Sequence, residues 1–265
     1  MRGDTAGLGL LVIMFMLLFV LEPLPVHAAS TLIQQSSDGC FSGPCPSISV
    51  AFSSNVASGN VIAVGVAATG VSLTPATVGS ISDTRGSSFT LAMTAANLQT
   101  SAYVYVATLL TGGPDTVTVN WGNPAAEGDV YIYEVSGVTT SGAGTGSGSG
   151  SGTSIFTSSV AFLSGAFLLG MTEASCVAFT AGAGFTRSPG LGTTSCSSGA
   201  QYSDPVSSPT TFPATQGQQQ TWVEVSVALN PPAPIPEYPL GLPILAILML
   251  FGYGLVRRRT RIDTA

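Results

Sequence analysis

The sequence predicts an all-β fold, either an antiparallel β-sandwich or a jelly roll, flanked by an N-terminal signal helix and a C-terminal transmembrane helix. Two observations predict the sheets. Apolar and polar residues alternate in many short segments between residues 47 and 229, and Gly and Pro recur too often there for long helices. A third observation predicts the flanks, because a long apolar run lies near each end of the chain.

Residues 1–28 have the layout of a secretory signal peptide. Arg2 precedes an apolar run of fourteen residues at 8–21, and small residues follow at Ala28 and Ala29, where we expect cleavage. An uncleaved N-terminal anchor is the alternative interpretation. Cleavage would remove His27, the only histidine, and the chain contains no lysine, so the mature protein would lack both side chains.

Residues 29–230 are predicted to form an extracellular β-sandwich. One face of the segment 115–121 is apolar, and so is one face of 222–229, which is typical of strands buried on one side. The segments 60–69 and 166–171 are largely apolar, so we expect them to be central strands.

Two segments of turn residues are predicted to connect strands. The TGGP sequence at 111–114 favours a β-hairpin. The Gly/Ser-rich segment 142–153 is typical of a flexible loop or linker. It could join two domains of about 110 and 80 residues, but we favour a loop within one sandwich, because few strands follow it.

The C-terminal region is predicted to cross a membrane once. Residues 231–239 include five prolines and should form an extended spacer. Residues 240–256 are uncharged and would span about 26 Å as a helix, close to the thickness of a bilayer core. The tail 257–265 would stay cytoplasmic, because clustered arginines stop transfer. These arginines are Arg257, Arg258, Arg259 and Arg261.

Four cysteines predict disulfide bonds in an exported chain. We expect Cys40–Cys45 to close a short loop and Cys176–Cys196 to join neighbouring strands, although four cysteines also allow other pairings. A Cys₄ zinc site is the alternative. It fits less well, since the separation of Cys176 from Cys196 does not match the short spacing of zinc-binding pairs.

The composition excludes several classes of chemistry. A mature chain without histidine or lysine has no Ser-His-Asp triad, no His-based metal site, no Schiff base and no P-loop lysine, so we expect no cofactor. Residues 29–235 contain two arginines and nine acids. This excess of acids argues against nucleic acid or anionic lipid as partners, because both require clustered cations.

Carboxylates remain the route to catalysis or metal binding. Three glutamates in strand patterns make a carboxylate-based glycoside hydrolase an alternative function. A calcium site is a further alternative, since three acids could supply oxygen ligands. Glu173 follows an apolar run, so its burial would raise its pKa. The simpler interpretation is that each of the three glutamates faces solvent or is hydrogen-bonded near a sheet rim. The glutamates are Glu134, Glu173 and Glu224, and the calcium candidates are Asp115, Glu127 and Asp129.

Aromatic residues on the predicted strands raise the question of sugar binding. On an exposed face they could stack against sugar rings. On an inner face they would belong to the core, which we favour because aromatic residues are common in strands. These residues are Tyr103, Tyr105, Trp121, Tyr131, Tyr133 and Trp222.

The C-terminal tail resembles the three-part sorting signals of the PEP-CTERM and PEF-CTERM type. A short motif is followed by the apolar segment and the arginine cluster; its residues are Pro236, Glu237, Tyr238 and Pro239. The resemblance implies that a membrane-embedded transpeptidase, an exosortase or archaeosortase, would cut near the motif and transfer the protein to a surface anchor. Tyr238 departs from the residue that is commonest at its position.

The body is similar to a loosely defined group of secreted β-sandwich domains of unknown function. The similarity is carried by four segments: ISDTRGSSFTL at 81–91, AYVYVA at 102–107, DTVTV at 115–119 and YIYEVSGV at 131–138. It implies a sandwich and no activity, so no functional residues follow from it.

These observations predict a non-catalytic protein at the cell surface, with its body extracellular and its C-terminus cytoplasmic before any processing. The expected role is structural or adhesive. The expected partners are a membrane, through the single C-terminal span, and a sorting transpeptidase; surface glycans and self-association are open alternatives. A carbohydrate-binding module and a polymerising surface-filament subunit are therefore the other candidate functions.

Overall fold

The computed structural model describes residues 29–41, 43–174, 179–189, 198–204 and 211–233, together with Leu248 and Gly252. All of its strands belong to one compact unit, His27–Pro232. The strands are β1 (Thr31–Cys40), β2 (Cys45–Ala51), β3 (Val61–Gly70), β4 (Val78–Asp83), β5 (Thr90–Asn97), β6 (Thr100–Thr108), β7 (Thr116–Ser136), β8 (Gly144–Ile155), β9 (Phe167–Ala174), β10 (Phe179–Ala181), β11 (Thr186–Arg187), β12 (Gly199–Ser203) and β13 (Ala214–Leu229).

The described strands form two antiparallel sheets that pack face to face, which confirms the predicted β-sandwich. In the first sheet the order is β1-β7-β3-β6-β5, and β2 and β4 also pair with β7. In the second sheet the order is β10-β13-β9-β12-β11, and β8 also pairs with β13. The two sheets therefore come from successive parts of the chain, with β1 to β7 in one and β8 to β13 in the other.

The main core lies between the two sheets. Alternate residues of each central strand point into it, as the period-two pattern of 222–229 predicted. The first sheet contributes Val61, Ala63, Ala67, Tyr131, Tyr133 and Val135, and the second contributes Phe167, Leu169, Met171, Val223, Val225, Val227 and Leu229.

A second core covers the outer face of the first sheet. The strand β7 is 21 residues long, and its first half pairs with β2 and β4 while its second half pairs with β1 and β3. The first half folds over the outer face, so that Val117 and Val119 pack against Ile62 and Val64. Both faces of β3 are consequently buried, which explains why its sequence is apolar without alternation.

The predicted hairpin at 111–114 is wrong. The strands on its two sides do not pair with each other, because β6 lies between β3 and β5 while β7 pairs with β1, β2, β3 and β4. The segment instead connects two non-adjacent strands, and Gly113 forms an isolated bridge with Val56. Local turn chemistry indicated a change of direction, whereas the choice of neighbouring strands was decided by long-range packing.

The prediction of a flexible segment at 142–153 is also wrong. Residues from Gly144 onward form β8, which pairs with β13. The alternating glycines leave one face of β8 without side chains, and the backbone of residues 156–161 packs directly on that face. A Cβ atom at Gly144 would lie 1.8 Å from the carbonyl oxygen of Ala161, and one at Gly148 would lie 2.0 Å from that of Phe156. The glycines therefore serve close packing.

The predicted disulfide Cys40–Cys45 is present, whereas Cys176 and Cys196 lie outside the described residues. It links the end of β1 to the start of β2, where Cys45 is fully buried.

We expect the double variant Cys40→Ser and Cys45→Ser to have a free energy of unfolding about 2 kcal/mol lower than that of the parent. The effect is modest because the disulfide closes a short loop and therefore restricts the unfolded chain only a little. Chemical denaturation of both proteins measures the difference, and an unchanged midpoint would contradict the expectation.

The predicted targeting segments fall almost entirely outside the described residues. These segments are the signal peptide at 1–28, the motif at 236–239, most of the span at 240–256 and the arginine cluster at 257–261. Of the span, only Leu248 and Gly252 are described, and both are helical. Within the described part of the chain, no helix is long and apolar enough to cross a membrane.

Candidate functional site

Both ends of the folded unit lie at the same end of the sandwich, which we call the proximal end. The backbone N–H of Ser30, just before β1, donates to the carbonyl of Gly165 at 2.8 Å. The side-chain oxygen of Asn230, just after β13, accepts from the N–H of Leu163 at 2.7 Å. Because Leu163 and Gly165 belong to one loop, the chain enters and leaves the unit beside that loop.

The opposite end, which we call the distal end, follows from strand direction. The last residue of β7, Ser136, pairs with Thr31 at the start of β1 and is therefore proximal. The strand β3 is antiparallel to β7, with Val61 opposite Val135 and Thr69 opposite Glu127. The loop after β3 consequently lies at the distal end, as does the β5–β6 hairpin that pairs with it.

Two buried carboxyl groups face each other between the sheets at the distal end. Asp129 of β7 accepts a hydrogen bond from the hydroxyl of Ser198. Glu173 of β9 accepts one from the hydroxyl of Thr69 at 2.8 Å. Asp129 is only 4% exposed and Glu173 only 5%, so neither side chain offers an open surface to a substrate.

Burial raises the pKa values of these two carboxyl groups into the neutral range. Desolvation raises the pKa of Asp129 from 3.8 to about 7, although the Ser198 hydrogen bond opposes the shift. The pKa of Glu173 is raised from 4.5 to about 8, mainly by desolvation and also by the nearby Asp129 and Glu127 carboxylates, while the Thr69 hydrogen bond opposes the shift. The arrangement can hold protons between the sheets, and a neutral interior here favours packing of the two sheets.

The three glutamates proposed for hydrolysis lie on three different faces. Glu173 lies between the sheets, whereas Glu224 lies on the outer face of the second sheet, opposite Thr172 and fully buried. Glu134 lies on the outer face of the first sheet. The prediction that two of them could form a catalytic pair is therefore wrong, because a sheet separates each from the others.

Glu134 and Glu224 have structural partners. Glu134 accepts from the backbone N–H of Ala57 at 2.8 Å and from the Asn60 amide at 2.6 Å, so it fixes the loop before β3. The Gln201 amide donates to Glu224 at 2.9 Å. Burial raises the pKa of Glu224 from 4.5 to about 8, and hydrogen bonds from the Gln201 and Thr172 side chains oppose this shift.

The acids proposed for calcium are not brought together. Asp115 accepts from the backbone N–H of Thr84 at 3.1 Å and from its hydroxyl at 2.8 Å, in a loop contact separate from Asp129. Among the described residues, no group of three or more His, Cys, Asp or Glu side chains is arranged to hold a metal ion. Hydrogen-bonding partners distant in sequence, such as Ser198 for Asp129, could not be identified from local patterns.

Three of the six strand aromatics are buried in the core, as favoured, and the other three, Tyr103, Tyr105 and Trp121, are partly buried against the second core. Tyr131 and Tyr133 are buried between the sheets and Trp222 is buried in a satellite cluster. Tyr103 and Tyr105 are half-buried and stack with ring centroids 6.3 Å apart. An aromatic residue that was not singled out, Phe156, is 59% exposed and lies 5.8 Å from the Trp222 ring.

A polar cleft opens beside the distal end of β13. Its volume is about 300 Å³, and amide, hydroxyl and backbone groups line it. The nearby Asn97 amide donates to the carbonyls of Gly150 and Trp222, both at 3.4 Å, which ties the β5–β6 hairpin to this region. The lining residues are Ser151, Gly152, Gln219, Gln220 and Thr221.

Three aliphatic side chains protrude from the distal loops, and we call them the apolar tip. Leu73 is 70% exposed, Leu98 is 61% exposed and Val71 is 48% exposed. The backbone N–H of Gly70 donates to the carbonyl of Gln99 at 2.7 Å, so the two loops that carry these residues are joined. Sequence reasoning missed the apolar tip, although leucines among turn residues at 71–75 and 97–100 were a signal that could have found it.

Comparison of the chain with protein-family models, curated proteins and solved structures gave no match. The resemblances of the tail to sorting signals and of the body to secreted β-sandwich domains therefore stay predictions from the sequence.

Proposed function

We propose that this protein is a non-catalytic adhesive module, exported and held at the cell surface by its C-terminal region, with its distal end as the contact surface. The observation that carries the proposal is the placement of the two chain ends. Both lie at the proximal end, so the chain enters and leaves the sandwich there and the distal end carries neither of these connections.

The distal end has the chemistry of a contact surface. It combines the uncharged polar cleft with the exposed apolar tip. The acids that could serve catalysis are instead buried and hydrogen-bonded within the sandwich. This division of roles supports adhesion rather than hydrolysis.

The extracellular location is supported by the disulfide. The Cys40–Cys45 bond is typical of oxidising compartments. On this proposal the signal peptide directs export, residues 240–256 cross the membrane once, and a sorting transpeptidase recognises Pro236, Glu237, Tyr238 and Pro239. The C-terminal arginines then remain in the cytoplasm until the tail is cut.

Limited proteolysis of intact cells tests the proposed location. We expect added protease to degrade residues 29–230 while a cytoplasmic marker protein stays intact. Intact-mass measurement of the surface-extracted protein, before and after reduction, should show loss of residues 1–28 and at least one disulfide. Protection of the body in intact cells, or recovery of the protein from the cytosol with reduced cysteines, would overturn the proposal.

A second candidate function is carbohydrate binding in the polar cleft. The cleft is lined by uncharged hydrogen-bonding groups, which suit the hydroxyls of a neutral glycan. Glycan arrays probed with residues 29–233 test this candidate, and the double variant Gln219→Ala and Gln220→Ala should lose any binding that depends on the cleft. Absence of binding to every glycan would remove this candidate and leave the adhesive proposal.

A further inference from the structure

We infer that the apolar tip docks into the surface of an uncharged lipid bilayer. The inference rests on the proposed function, since a contact surface at the distal end of an exported protein would meet the membrane of a neighbouring cell or vesicle. The feature that carries it is a pair of joined loops that hold Val71, Leu73 and Leu98 in solvent.

The tip residues occupy backbone conformations that disfavour them. Leu73 has φ of +60° and Leu98 has φ of +54°, and Ser72 between the two exposed residues Val71 and Leu73 has φ of +57°. Among the described residues, these are the non-glycine residues with positive φ. Left-handed backbone favours Gly or Asn over leucine, and a mostly exposed leucine gains little from burial within the fold. Stability of the sandwich therefore does not account for leucine at these positions.

The loop after β3 is held rigidly at its base. The hydroxyls of Ser101 and Tyr103 both donate to the carbonyl of Ala76 at 2.8 Å. The Asn123 amide donates to the carbonyl of Pro75 at 3.0 Å, and Asn123 also accepts from the N–H of Thr77 at 2.6 Å. These contacts fix the base of the loop before docking, so that docking loses little backbone conformational entropy.

The chemistry of the tip favours a bilayer over a protein or a sugar. Residues 70–77 and 97–100 carry no charge and no aromatic side chain. Protein interfaces concentrate their binding energy in Trp, Tyr and Arg, whereas Leu, Val, Ser and Thr are under-represented in such sites. Protruding aliphatic side chains on uncharged loops suit the boundary between headgroups and acyl chains, into which apolar surfaces insert by about 5–10 Å.

The charge of the unit selects the kind of lipid. Residues 29–235 contain nine acids and two arginines, so an anionic surface would repel the protein. Even with the buried Asp129, Glu173 and Glu224 neutral, six acids exceed the two arginines, and Glu127 lies at the distal end of β7. The expected partner is therefore a bilayer of uncharged lipid, such as phosphatidylcholine.

Flotation with vesicles tests the inference. Residues 29–233 suit the assay, because every buried cluster of the described structure consists of residues from this unit. We expect the unit to float with phosphatidylcholine vesicles and the double variant Leu73→Asn and Leu98→Asn to bind at least about 10-fold more weakly. Asparagine accepts left-handed backbone, so thermal melting should show a variant at least as stable as the parent.

Leu110→Asn is the matched control. Leu110 is 74% exposed, similar to Leu73, but follows Leu109, whose N–H donates to the carbonyl of Asn60 at the proximal end. Flotation of this variant should equal that of the parent. If asparagine lowers the melting temperature, the pair Leu73→Gly and Leu98→Gly replaces it, since glycine also accepts positive φ.

Three results would overturn the inference. They are no flotation of the parent unit, equal loss of flotation in the tip and Leu110 variants, or stronger flotation as anionic phosphatidylglycerol replaces phosphatidylcholine. A tip-dependent dimer in light scattering would instead identify a second copy as the occupant and also overturn it. None of these results bears on surface exposure, which proteolysis of intact cells measures separately.

Discussion

Replacing Glu224 with glutamine is expected to raise the melting temperature of residues 29–233 by roughly 5–10 °C at pH 7–8 and to leave it nearly unchanged at pH 4. Glu224 is fully buried on the outer face of the second sheet, and burial raises its pKa from 4.5 to about 8. Glutamine keeps an oxygen that can accept the hydrogen bond from the Gln201 amide, but it does not ionise.

The sign of the pH dependence follows from the raised pKa. Below pH 4.5 the carboxyl group is protonated in both the folded and the unfolded chain, so its contribution to stability is fully present. As the pH rises from 4.5 towards 8, the unfolded chain releases the proton while the folded chain retains it, and stability falls. Each pH unit in this window removes about 1.4 kcal/mol, so the loss at pH 7 is roughly 3 kcal/mol. Above pH 8 the loss is complete.

Thermal melts from pH 4 to pH 9 measure this effect, with Glu134→Gln as the contrasting variant. Glu134 accepts hydrogen bonds from Ala57, Asn60 and Gln34, so an amide nitrogen there would face a donor. We expect Glu134→Gln to lower stability by about 1–3 kcal/mol. Equal pH profiles for the parent and Glu224→Gln would show that Glu224 ionises normally in the folded protein.

Strands that are buried on one face or on both faces were the part of the fold that the sequence predicted well. The alternation of Val223, Val225 and Val227 follows from burial on one face, and the apolar run of β3 follows from burial on both. Each of these patterns is local, because the environment of every residue repeats along the strand. Antiparallel pairing and a sandwich then follow from many short strands separated by Gly and Pro.

The neighbours of each strand could not be predicted in the same way. The Gly and Pro residues at 122–128 are typical of a turn, but the structure continues β7 through this region. The bend is stable because β2 and β4 pair with its first half and β1 and β3 pair with its second. Such pairings join segments far apart in sequence, and local patterns carry no information about them.

The contacts at the distal end could not be predicted from the sequence for the same reason. Thr69 and Glu173 are 104 residues apart in sequence, and Asp129 and Ser198 are 69 apart. The sequence identified Glu173 as a residue whose burial would raise its pKa, which agrees with its position between the sheets. It could not place Asp129 beside it, because only the packing of the two sheets brings them together.

The Gly/Ser segment gives the sharpest test of the fold, through the variant Gly148→Ala. The added Cβ would lie 2.0 Å from the carbonyl oxygen of Phe156, which is backbone and cannot rotate away. We expect a loss of about 2–3 kcal/mol in the free energy of unfolding, as for other overpacked sites. Chemical denaturation of residues 29–233 measures this loss.

The control is Ser149→Ala, the next residue along β8. Ser149 is exposed and lies on the opposite face of the strand, opposite Val223 in the register. Its replacement should change stability by less than about 0.5 kcal/mol. The contrast between neighbouring positions separates a packed strand from a flexible linker, because a linker would accept alanine at both positions without loss. Equal stability of Gly148→Ala and Ser149→Ala would therefore contradict the packing of residues 156–161 on β8.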